Sequence, residues 1–403
     1  MVALEEIELG WHARFIDFAD QPPEVEASAG GRVNLIGEHT DYHEGFVMPA
    51  AINLRTMALA SRRADARLRI RSTRTEGEVQ AHIAEPWPPK PGWAGYLLAS
   101  FWALRETLGH MRPADVVVEG NVPFGGGLSS SASLLVVLAG VALTLQGGRE
   151  APLPDRMAIA QLARRAENDY CGVPCGIMDH VACACGKQGH AILLDCRTLE
   201  RIEVPIPEGW AIVVADSGVK HALGNSEYGL RQRECAQGLQ MLRHEVPALG
   251  SLRDVSPELL EAWKSKMPDK LFRRLHHVLS ENQRVLQART AMESADAQAM
   301  GRLMYASHES LARDYEVSCP ELNHLVELAA SIPGVIGARL TGAGFGGNTV
   351  NLVEAARAED FRAAIVERFR AKTGKPTRAM IVTASDGFSI RWDQDEDYPA
   401  WLK

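Results

Sequence analysis

The sequence predicts an α+β protein of two domains. At 403 residues the chain is too long for one ordinary hydrophobic core, so two cores are expected. Its first half mixes strand-like and helical segments, whereas its second half turns helical and returns to strands only near the end. Pro205, Pro207 and Gly209 loosen the chain between these halves. We therefore expect an N-terminal domain at 1–203 and a C-terminal domain at 204–403.

The first half is expected to contain short strands and apolar helices. Alternating polarity and β-branched residues indicate the strands, and longer apolar runs indicate the helices. The strands are predicted at 32–36, 54–61, 67–72, 115–119, 191–195 and 202–205, with helices at 93–108 and directly after Ser129.

The second half is expected to contain three amphipathic helices before its closing strands. Apolar residues recur with helical spacing at 228–245, 269–288 and 296–312. A strand at 335–340, a glycine-rich loop, a strand at 349–353, a helix at 358–372 and a strand at 379–382 follow. No internal repeat or low-complexity run is visible, so neither half reads as a repeat array.

The charge balance argues against two classes of partner. A net charge of −8 disfavours nucleic acid and anionic membranes, although a local basic patch could still attract phosphates. The acidic segment 1–6 lacks the basic and apolar regions of a secretory signal, which predicts a cytoplasmic protein. The longest apolar run, 132–145, is shorter than the ~20 residues that a bilayer requires, so we expect a buried helix there.

The cysteines are expected to be reduced and mostly buried. Four of the seven fall at Cys171, Cys175, Cys183 and Cys185. Structural zinc sites favour two C-x-x-C pairs, whereas these residues form C-x-x-x-C and C-x-C beside a predicted helix. A zinc site built from these four cysteines is therefore not expected.

The segment 31–42 is the most informative part of the chain. The predicted strand ends at Gly37, which turns the chain and spreads Glu38, His39 and Asp41 into space. This set of hydrogen-bonding groups suits a polyhydroxylated ligand. A solvated loop is the ordinary alternative for a single loop carboxylate, but the number of polar partners here favours a binding site.

A second motif, at 123–131, has the properties of an anion site. It follows a strand and leads into a helix, so its backbone N–H groups and the helix dipole favour negative charge. Serine hydroxyls could add hydrogen bonds or bind Mg²⁺, and no Walker lysine is present. A glycine-rich turn with serine helix caps is the alternative. The predicted phosphate-binding residues are Gly125, Gly126, Gly127, Leu128, Ser129, Ser130 and Ser131.

The third glycine-rich segment is not expected to bind a dinucleotide. Gly342, Gly344 and Gly347 spell G-x-G-x-x-G, but a dinucleotide fingerprint must open a helix. The residues at 348–353 look like a strand, so the loop is expected to bridge two strands. The alternative that the chain is a nicotinamide-dependent dehydrogenase is supported by this segment alone.

The segments 31–42 and 45–49 together closely resemble the galactokinase signature. The segments 123–133 and 340–349 resemble the other two motifs of the small-molecule kinase superfamily that also contains homoserine, mevalonate and phosphomevalonate kinases. The resemblance implies a ribosomal-protein-S5-like N-terminal domain and a ferredoxin-like C-terminal domain with extra helices. It also implies ATP-dependent phosphorylation of D-galactose at the C1 hydroxyl, in a cleft between the domains.

The resemblance implies a role for each site residue. Asp179 would face the anomeric hydroxyl, and Arg32 would lie between Asp179 and the γ-phosphate. Ser131 and Glu167 would hold Mg²⁺, with ATP as the co-substrate. Trp93 would contact adenine, although a helix-packing tryptophan is the alternative. Gly344 would belong to the loop over the nucleotide phosphates, and the sugar contacts would be Glu38, His39, Thr40, Asp41, Gly176 and Tyr228.

Four positions depart from the pattern of this family, and three other functions stay open. Gly30, His43, His180 and Asn348 replace the usual proline, asparagine, glutamine and cysteine. The alternatives are a kinase of N-acetylgalactosamine, galacturonate or arabinose, a non-catalytic galactose and ATP sensor, and the dehydrogenase. The intact segment 38–42 favours galactose. The oligomeric state stays open, with a monomer favoured.

Overall fold

Three β-sheets organise the chain, and they contain thirteen strands in the part that is described. The computed structural model describes residues 4–75, 77–90, 92–220 and 224–393, without the side chains of 4–9 and 224–226. The strands are β1 (Val25–Asn34), β2 (Phe46–Val47), β3 (Pro49–Arg62), β4 (Arg67–Ser72), β5 (Glu78–His82), β6 (Ala114–Gly120), β7 (His190–Asp195), β8 (Arg201–Pro205), β9 (Trp210–Asp216), β10 (Val335–Thr341), β11 (Asn348–Glu354), β12 (Ala379–Val382) and β13 (Ser389–Trp392).

Eleven α-helices surround these sheets in the same described ranges. They are α1 (Leu4–Ala19), α2 (Gly92–Leu108), α3 (Ser130–Gly147), α4 (Arg156–Arg165), α5 (Met178–Cys185), α6 (Gly224–Arg243), α7 (Pro257–Ala262), α8 (Asp269–Glu293), α9 (Ala297–Arg313), α10 (Pro320–Ala329) and α11 (Ala358–Thr373). A π-helical turn, Ala166–Tyr170, follows α4 directly.

The first sheet has the order β13-β1-β3-β6-β4-β5 and is antiparallel except where β4 pairs with β6. Helix α3 packs on β1 and β3 between α2, α4 and α5. By length and composition alone α3 could cross a membrane, but most of its residues are buried inside the protein. It is therefore the core helix that the run 132–145 predicted.

The second sheet has the order β10-β11-β9-β12 and is covered by helices on both faces. In β9, Ile212 and Val214 pack in the cluster that contains Met300 and Met304 of α9. The intervening Val213 packs against α10 and α11. Successive side chains of a strand point to opposite faces, which explains why β9 is apolar throughout.

The two halves are joined by a shared core and by strands that cross the predicted boundary. Val33, Leu35 and Met48 of the first half pack with Val285 and Met300 of the second. The boundary between 203 and 204 falls within β8, and β13 pairs with β1 in the first sheet. The α+β class and the two-domain architecture are confirmed. The boundary near residue 203 stays a proposal, in which residues 389–392 belong to the N-terminal domain because they pair with β1.

Candidate active site

The three motifs meet around one cavity of about 330 Å³. A second cavity of about 430 Å³ adjoins it, because Gly125 and Ser131 line both. The wall of the first cavity comes from the end of β1, the phosphate loop, the start of α5 and the loop 342–347. We call the first the polar cavity and the second the aromatic cavity.

The turn after β1 is shaped by Gly37. Its φ is +105°, and a Cβ there would lie 2.8 Å from the Val47 Cα. Its N–H donates to the buried Glu281 carboxylate at 2.9 Å. His39, two residues later, has a φ of +64°, a conformation that non-glycine residues rarely adopt and that the surrounding contacts must stabilise. The turn therefore holds the polar side chains in one fixed arrangement.

Glu38 is 1% exposed, and protein groups surround its carboxylate. Arg339 Nη2 lies 2.8 Å from Oε2, the Gly342 N–H donates to Oε1 at 2.7 Å, and the Asn34 amide donates to Oε2. Burial raises the pKa of Glu38, and the charge of Arg339 opposes that shift. Glu38 thus connects the sugar motif to β10 and the third glycine loop, and it also lines the polar cavity.

Asp41 lies on the wall of the polar cavity next to Gly176. A Cβ on Gly176 would be 1.8 Å from the Asp41 Oδ2, so only glycine leaves room for this carboxylate. Burial, together with the negative charge of the nearby Asp179, raises the pKa of Asp41 to about 7. Because burial disfavours the charged form of Asp41, hydrogen-bond donors of a ligand in the cavity would stabilise its carboxylate.

Arg32 and Asp179 form the charged centre of the polar cavity. Arg32 Nε and Nη2 donate to the two carboxylate oxygens of Asp179 at 2.8 and 2.7 Å. The remaining donor, Nη1, binds the Gly127 carbonyl in the phosphate loop. Ser129 donates its hydroxyl to Asp179 Oδ2. Arg32 is 4% exposed, so its guanidinium is largely protected from solvent, whereas the Asp179 side chain keeps 29% of its surface exposed at the cavity.

Ser129 links the phosphate loop to Asp179 rather than capping α3. Its φ is +56°, and its hydroxyl makes no cap hydrogen bond. It was predicted as a phosphate contact, and in this structure its side chain is directed to the carboxylate while its backbone stays in the loop. No feature of the linear sequence connects residues 129 and 179.

The third glycine loop packs directly against the phosphate loop. A Cβ on Gly127 would lie 2.9 Å from the Thr341 carbonyl, and the Asn348 amide donates to the Gly126 carbonyl. The loop joins β10 to β11, which pair antiparallel. The prediction that it bridges two strands is confirmed, and a dinucleotide fingerprint is excluded because no helix follows.

Glu167 lies on the π-helical turn and lines the polar cavity, and the residue is 5% exposed. Among the described residues its contacts are the Tyr96 hydroxyl at 3.3 Å, the Cys175 thiol at 3.4 Å and His180 Nε2 at 2.9 Å. No Lys or Arg of the described ranges pairs with it. A buried carboxylate without a Lys or Arg beside it, on the same cavity as Ser131, fits a bound cation.

A directional hydrogen-bond chain supports His39 from behind. His39 Nε2 contacts the Ala343 carbonyl at 3.2 Å, which can only accept, so Nε2 carries the proton. His39 Nδ1 then accepts from the Tyr42 hydroxyl at 2.7 Å, and Tyr42 accepts from Tyr315 at 3.0 Å. Tyr315 in turn contacts the Cys235 thiol at 3.3 Å. Burial lowers the pKa of His39 well below its usual value, so the ring stays neutral.

The aromatic cavity carries two side chains that are unusually exposed. Trp93 is 39% exposed and Phe124 is 56% exposed, and both line it with Tyr96 and Leu134. The Arg74 guanidinium lies 3.7 Å from the centre of the Phe124 ring. Large exposed aromatic groups in a concave site are suited to a flat apolar ligand. The packing alternative for Trp93 is therefore less favoured than a ligand contact.

The structure brings most predicted site residues together, with two exceptions. Tyr228 lines the polar cavity, with its ring centre 5.6 Å from that of His39. Thr40 lies behind the wall and donates its hydroxyl to the Gly37 and Phe46 carbonyls. The Leu128 side chain is in the core, and only its backbone belongs to the loop. The remaining predicted residues line one or both cavities or form the loop between them: Arg32, Glu38, His39, Asp41, Trp93, Gly125, Gly126, Gly127, Ser129, Ser130, Ser131, Glu167, Gly176, Asp179 and Gly344.

Sequence reasoning missed Arg339, Cys175 and Arg74. Arg339 is fully buried in β10 and reaches Glu38 from 301 positions away in the chain. Cys175 lies on the cavity wall, and its position next to Gly176 was the one available signal. Arg74 follows β4 in a turn that carried no motif. Contacts between distant segments position these residues, and the spacing of residues within a motif does not predict such contacts.

Comparisons with known proteins agree with this geometry. The galactokinase galactose-binding signature matches residues 13–62, the GHMP kinases N-terminal domain matches 95–187, and the GHMP kinases C-terminal domain matches 288–371. A galactokinase of Chloroflexus aggregans is 40% identical over 96% of this chain and 98% of its own length. The galactokinase of Homo sapiens is 40% identical over 91% of this chain and 92% of its own.

Two solved structures resemble this chain over most of its length. A Lactococcus lactis galactokinase complexed with galactose superposes with a TM-score of 0.88 and 32% identity, covering 95% of this chain and 99% of that one. A mevalonate kinase superposes with a TM-score of 0.61 at 14% identity, over 90% and 99% of the two chains, which shows a shared fold alone.

Proposed function

This chain belongs to the galactokinase family of the GHMP kinases, and we propose that it transfers the γ-phosphoryl group of ATP to the C1 hydroxyl of D-galactose. The products are galactose 1-phosphate and ADP. The polar cavity would hold the sugar and the transferring phosphoryl group, and the aromatic cavity would hold the adenine. The shared residues Gly125 and Ser131 would then lie where the phosphates pass between them.

The observation that carries this proposal is the cluster of Arg32, Asp179 and Gly127. Phosphoryl transfer requires an oriented nucleophile and positive charge close to the phosphates. Asp179 would accept the proton of the C1 hydroxyl as that oxygen attacks phosphorus. Arg32, held between Asp179 and the phosphate loop, would keep the carboxylate in place and stabilise negative charge in the transition state.

Ser131 and Glu167 are the residues we assign to Mg²⁺. Bound Mg²⁺ would supply charge neutralisation at the β- and γ-phosphates. The oxygen atoms of a hydroxyl and a carboxylate are suitable ligands, since Mg²⁺ is usually held by few protein groups. Glu167 is buried without a Lys or Arg in the described ranges, which supports this assignment.

We assign recognition of the sugar to Asp41, Glu38, His39 and Tyr228. Asp41 would accept hydrogen bonds from the 3- and 4-hydroxyls, because its carboxylate faces the cavity beside Gly176. Glu38 would approach the 6-hydroxyl while keeping its contacts to Arg339 and Gly342. Thr40 would act from behind the wall by fixing the turn.

An ADP-release assay with galactose, followed by NMR assignment of the phosphate position, tests the proposal. We expect ADP release to depend on galactose and the product to carry phosphorus on C1. Stoichiometric binding of both ligands without ADP release would instead identify a galactose and ATP sensor. The presence of Arg32, Ser131, Glu167 and Asp179 favours the enzyme.

We further propose a cytoplasmic location. All seven cysteines are free, as expected in a reducing compartment. The oligomeric state stays a prediction, with a monomer favoured.

A further inference from the structure

A second group of potential metal ligands adjoins the polar cavity at Glu167, Cys175 and His180. One oxygen, one sulfur and one ring nitrogen of these residues all lie within 4.8 Å of one another. Glu167 Oε2 is 2.9 Å from His180 Nε2 and 3.4 Å from Cys175 Sγ. This group differs from the all-cysteine zinc site that the spacing argued against, because it uses one cysteine only.

His180 is buried without a hydrogen bond. Its side chain is 0% exposed, and neither ring nitrogen has a hydrogen-bond partner within the described ranges. Its Nε2 lies close to the Glu167 carboxylate, but the atoms are not aligned for a hydrogen bond. Leaving buried polar atoms unpaired costs free energy, so such a ring in a native protein requires an explanation.

We propose that Glu167, Cys175 and His180 form a binding site for a thiophilic divalent cation of the zinc class. Carboxylate oxygen, thiolate sulfur and imidazole nitrogen are all zinc ligands, and three protein ligands leave a fourth position for water. Tetrahedral zinc separates its ligand atoms by roughly 3 to 4 Å, so only small side-chain shifts are required. Mg²⁺ prefers oxygen ligands and would not select the thiol or the imidazole.

Binding at this site releases a proton. In the free site the Cys175 thiol lies within donating distance of two acceptors, the Glu167 carboxylate at 3.4 Å and the Asn168 side-chain oxygen at 3.1 Å, so the sulfur carries its hydrogen. The cation replaces the hydrogen on sulfur, the S–H bond breaks, and the proton leaves to solvent. The metal also gives the unpaired His180 nitrogen a partner.

Titration of the metal-free protein with Zn²⁺ against a chromogenic chelator tests the site without sugar or ATP. We expect one tightly bound equivalent and a loss of affinity of roughly tenfold or more in His180→Gln and in Cys175→Ser. The matched controls His190→Gln and Cys319→Ser change residues of the same types outside the cluster and should bind like the wild type. Unchanged affinity in both cluster variants would overturn the proposal.

Co²⁺ gives an independent measurement on the unaltered protein. A thiolate ligand produces a sulfur-to-cobalt charge-transfer band in the near ultraviolet, and that band should appear on titration and be absent in Cys175→Ser. A wild-type Co²⁺ complex without the band would contradict cysteine ligation even if a variant failed to fold.

One consequence depends on the proposed function, because Glu167 is also our Mg²⁺ ligand. Zinc at this site should raise the Mg²⁺ concentration needed for the half-maximal rate, and His180→Gln should reduce that increase. Since zinc binding is measured without substrates, failure of the kinase assignment would leave the binding result intact.

Discussion

Arg32 and Asp179 lie 147 residues apart in the chain and form a two-point ion pair, with N···O distances of 2.8 and 2.7 Å. Because the third guanidinium donor binds the Gly127 carbonyl, the same side chain also holds the phosphate loop. A single arginine thus couples the start of α5 to the loop before α3. The distance between the proposed base and the proposed phosphate site depends on this residue.

Replacing Asp179 with asparagine should reduce turnover with galactose by roughly a hundredfold or more. The amide keeps the size of the side chain but cannot accept a proton, and general-base catalysis is typically worth ~10²–10⁴. Steady-state kinetics should show the loss in kcat, while calorimetry should still show galactose and ATP binding.

Asp169→Asn is the matched control for this change. Asp169 lies in the preceding turn, is 53% exposed and pairs with Arg165 on the surface. Its replacement should leave kcat within about twofold, since exposed ion pairs contribute little. Turnover of folded Asp179→Asn at the wild-type rate would exclude Asp179 from the mechanism.

The sequence predicted the local parts of this site well because each motif is continuous. The phosphate loop requires glycines followed by a helix start, and both features lie within 123–131. The segment around Gly37 was likewise predicted from one strand and one turn. Most predicted strands and helices were confirmed within a few residues, as for β4 at Arg67–Ser72 and β12 at Ala379–Val382.

The parts that were not predicted depend on contacts between distant segments. Strand β13 pairs with β1 across more than 350 residues, and nothing in 389–392 alone indicates its partner. Two site contacts also join distant segments: the ion pair of Arg339 with Glu38, and the hydrogen bond from Ser129 to Asp179. Strand β9 was not predicted either, although its apolar and β-branched residues are typical of a strand.

Ser131→Ala and Glu167→Gln should each raise the Mg²⁺ concentration for the half-maximal rate by roughly tenfold. Each change removes an oxygen ligand from a cation that binds through few protein groups. Rate measurements across a Mg²⁺ titration check this. Asp169→Asn serves again as the control, and curves for both variants that overlay the wild type would place the metal elsewhere.

The raised pKa of Asp41 predicts a pH dependence of kcat/KM for galactose. Burial brings this pKa to about 7, so below neutral pH the carboxyl becomes protonated and accepts fewer hydrogen bonds. We expect kcat/KM to fall by about tenfold per pH unit as the pH drops below 7. Burial lowers the pKa of His39, which keeps that ring from titrating in this range.

The free energy of unfolding should decrease with rising pH, whereas kcat/KM should increase. These opposite trends distinguish the effect of Asp41 on stability from its effect on activity. The folded protein holds this proton up to about pH 7, whereas the unfolded chain releases it near pH 4. The contribution of Asp41 to the free energy of unfolding should therefore decrease as the pH rises from 4 to 7. Asp41→Asn should unfold at a higher temperature than the wild type at pH 8, with a smaller difference at pH 4. Equal differences at both pH values would contradict the raised pKa.

Tyr315→Phe should raise the KM for galactose by roughly threefold to tenfold. The change removes one hydroxyl from the chain that supports His39, and a typical hydrogen bond is worth about 0.5–1.5 kcal/mol. Tyr305→Phe is the control, because that buried hydroxyl has no hydrogen-bond partner among the described residues. If both variants show the same KM as the wild type, the chain does not position the sugar site.

The choice of substrate depends on Asp41, which we expect to accept hydrogen bonds from the 3- and 4-hydroxyls of galactose. The axial 4-hydroxyl is then the selected feature. Glucose presents its 4-hydroxyl equatorially, which leaves the carboxylate partly unpaired in a site where burial already disfavours its charge. Such a mismatch should lower kcat/KM for glucose by roughly 10³-fold or more.

N-acetylgalactosamine and galacturonate test other positions of the same ring. An N-acetyl group at C2 needs extra room beside Gly176 and Asp179, where a Cβ would already meet the Asp41 carboxylate. A carboxylate at C6 would approach the negative charge of Glu38. We therefore expect galactose to have the highest kcat/KM in a coupled ADP assay. An equal or higher value for glucose or either derivative would contradict this assignment of the sugar contacts, because Asp41, Gly176 and Glu38 would then not select the ring.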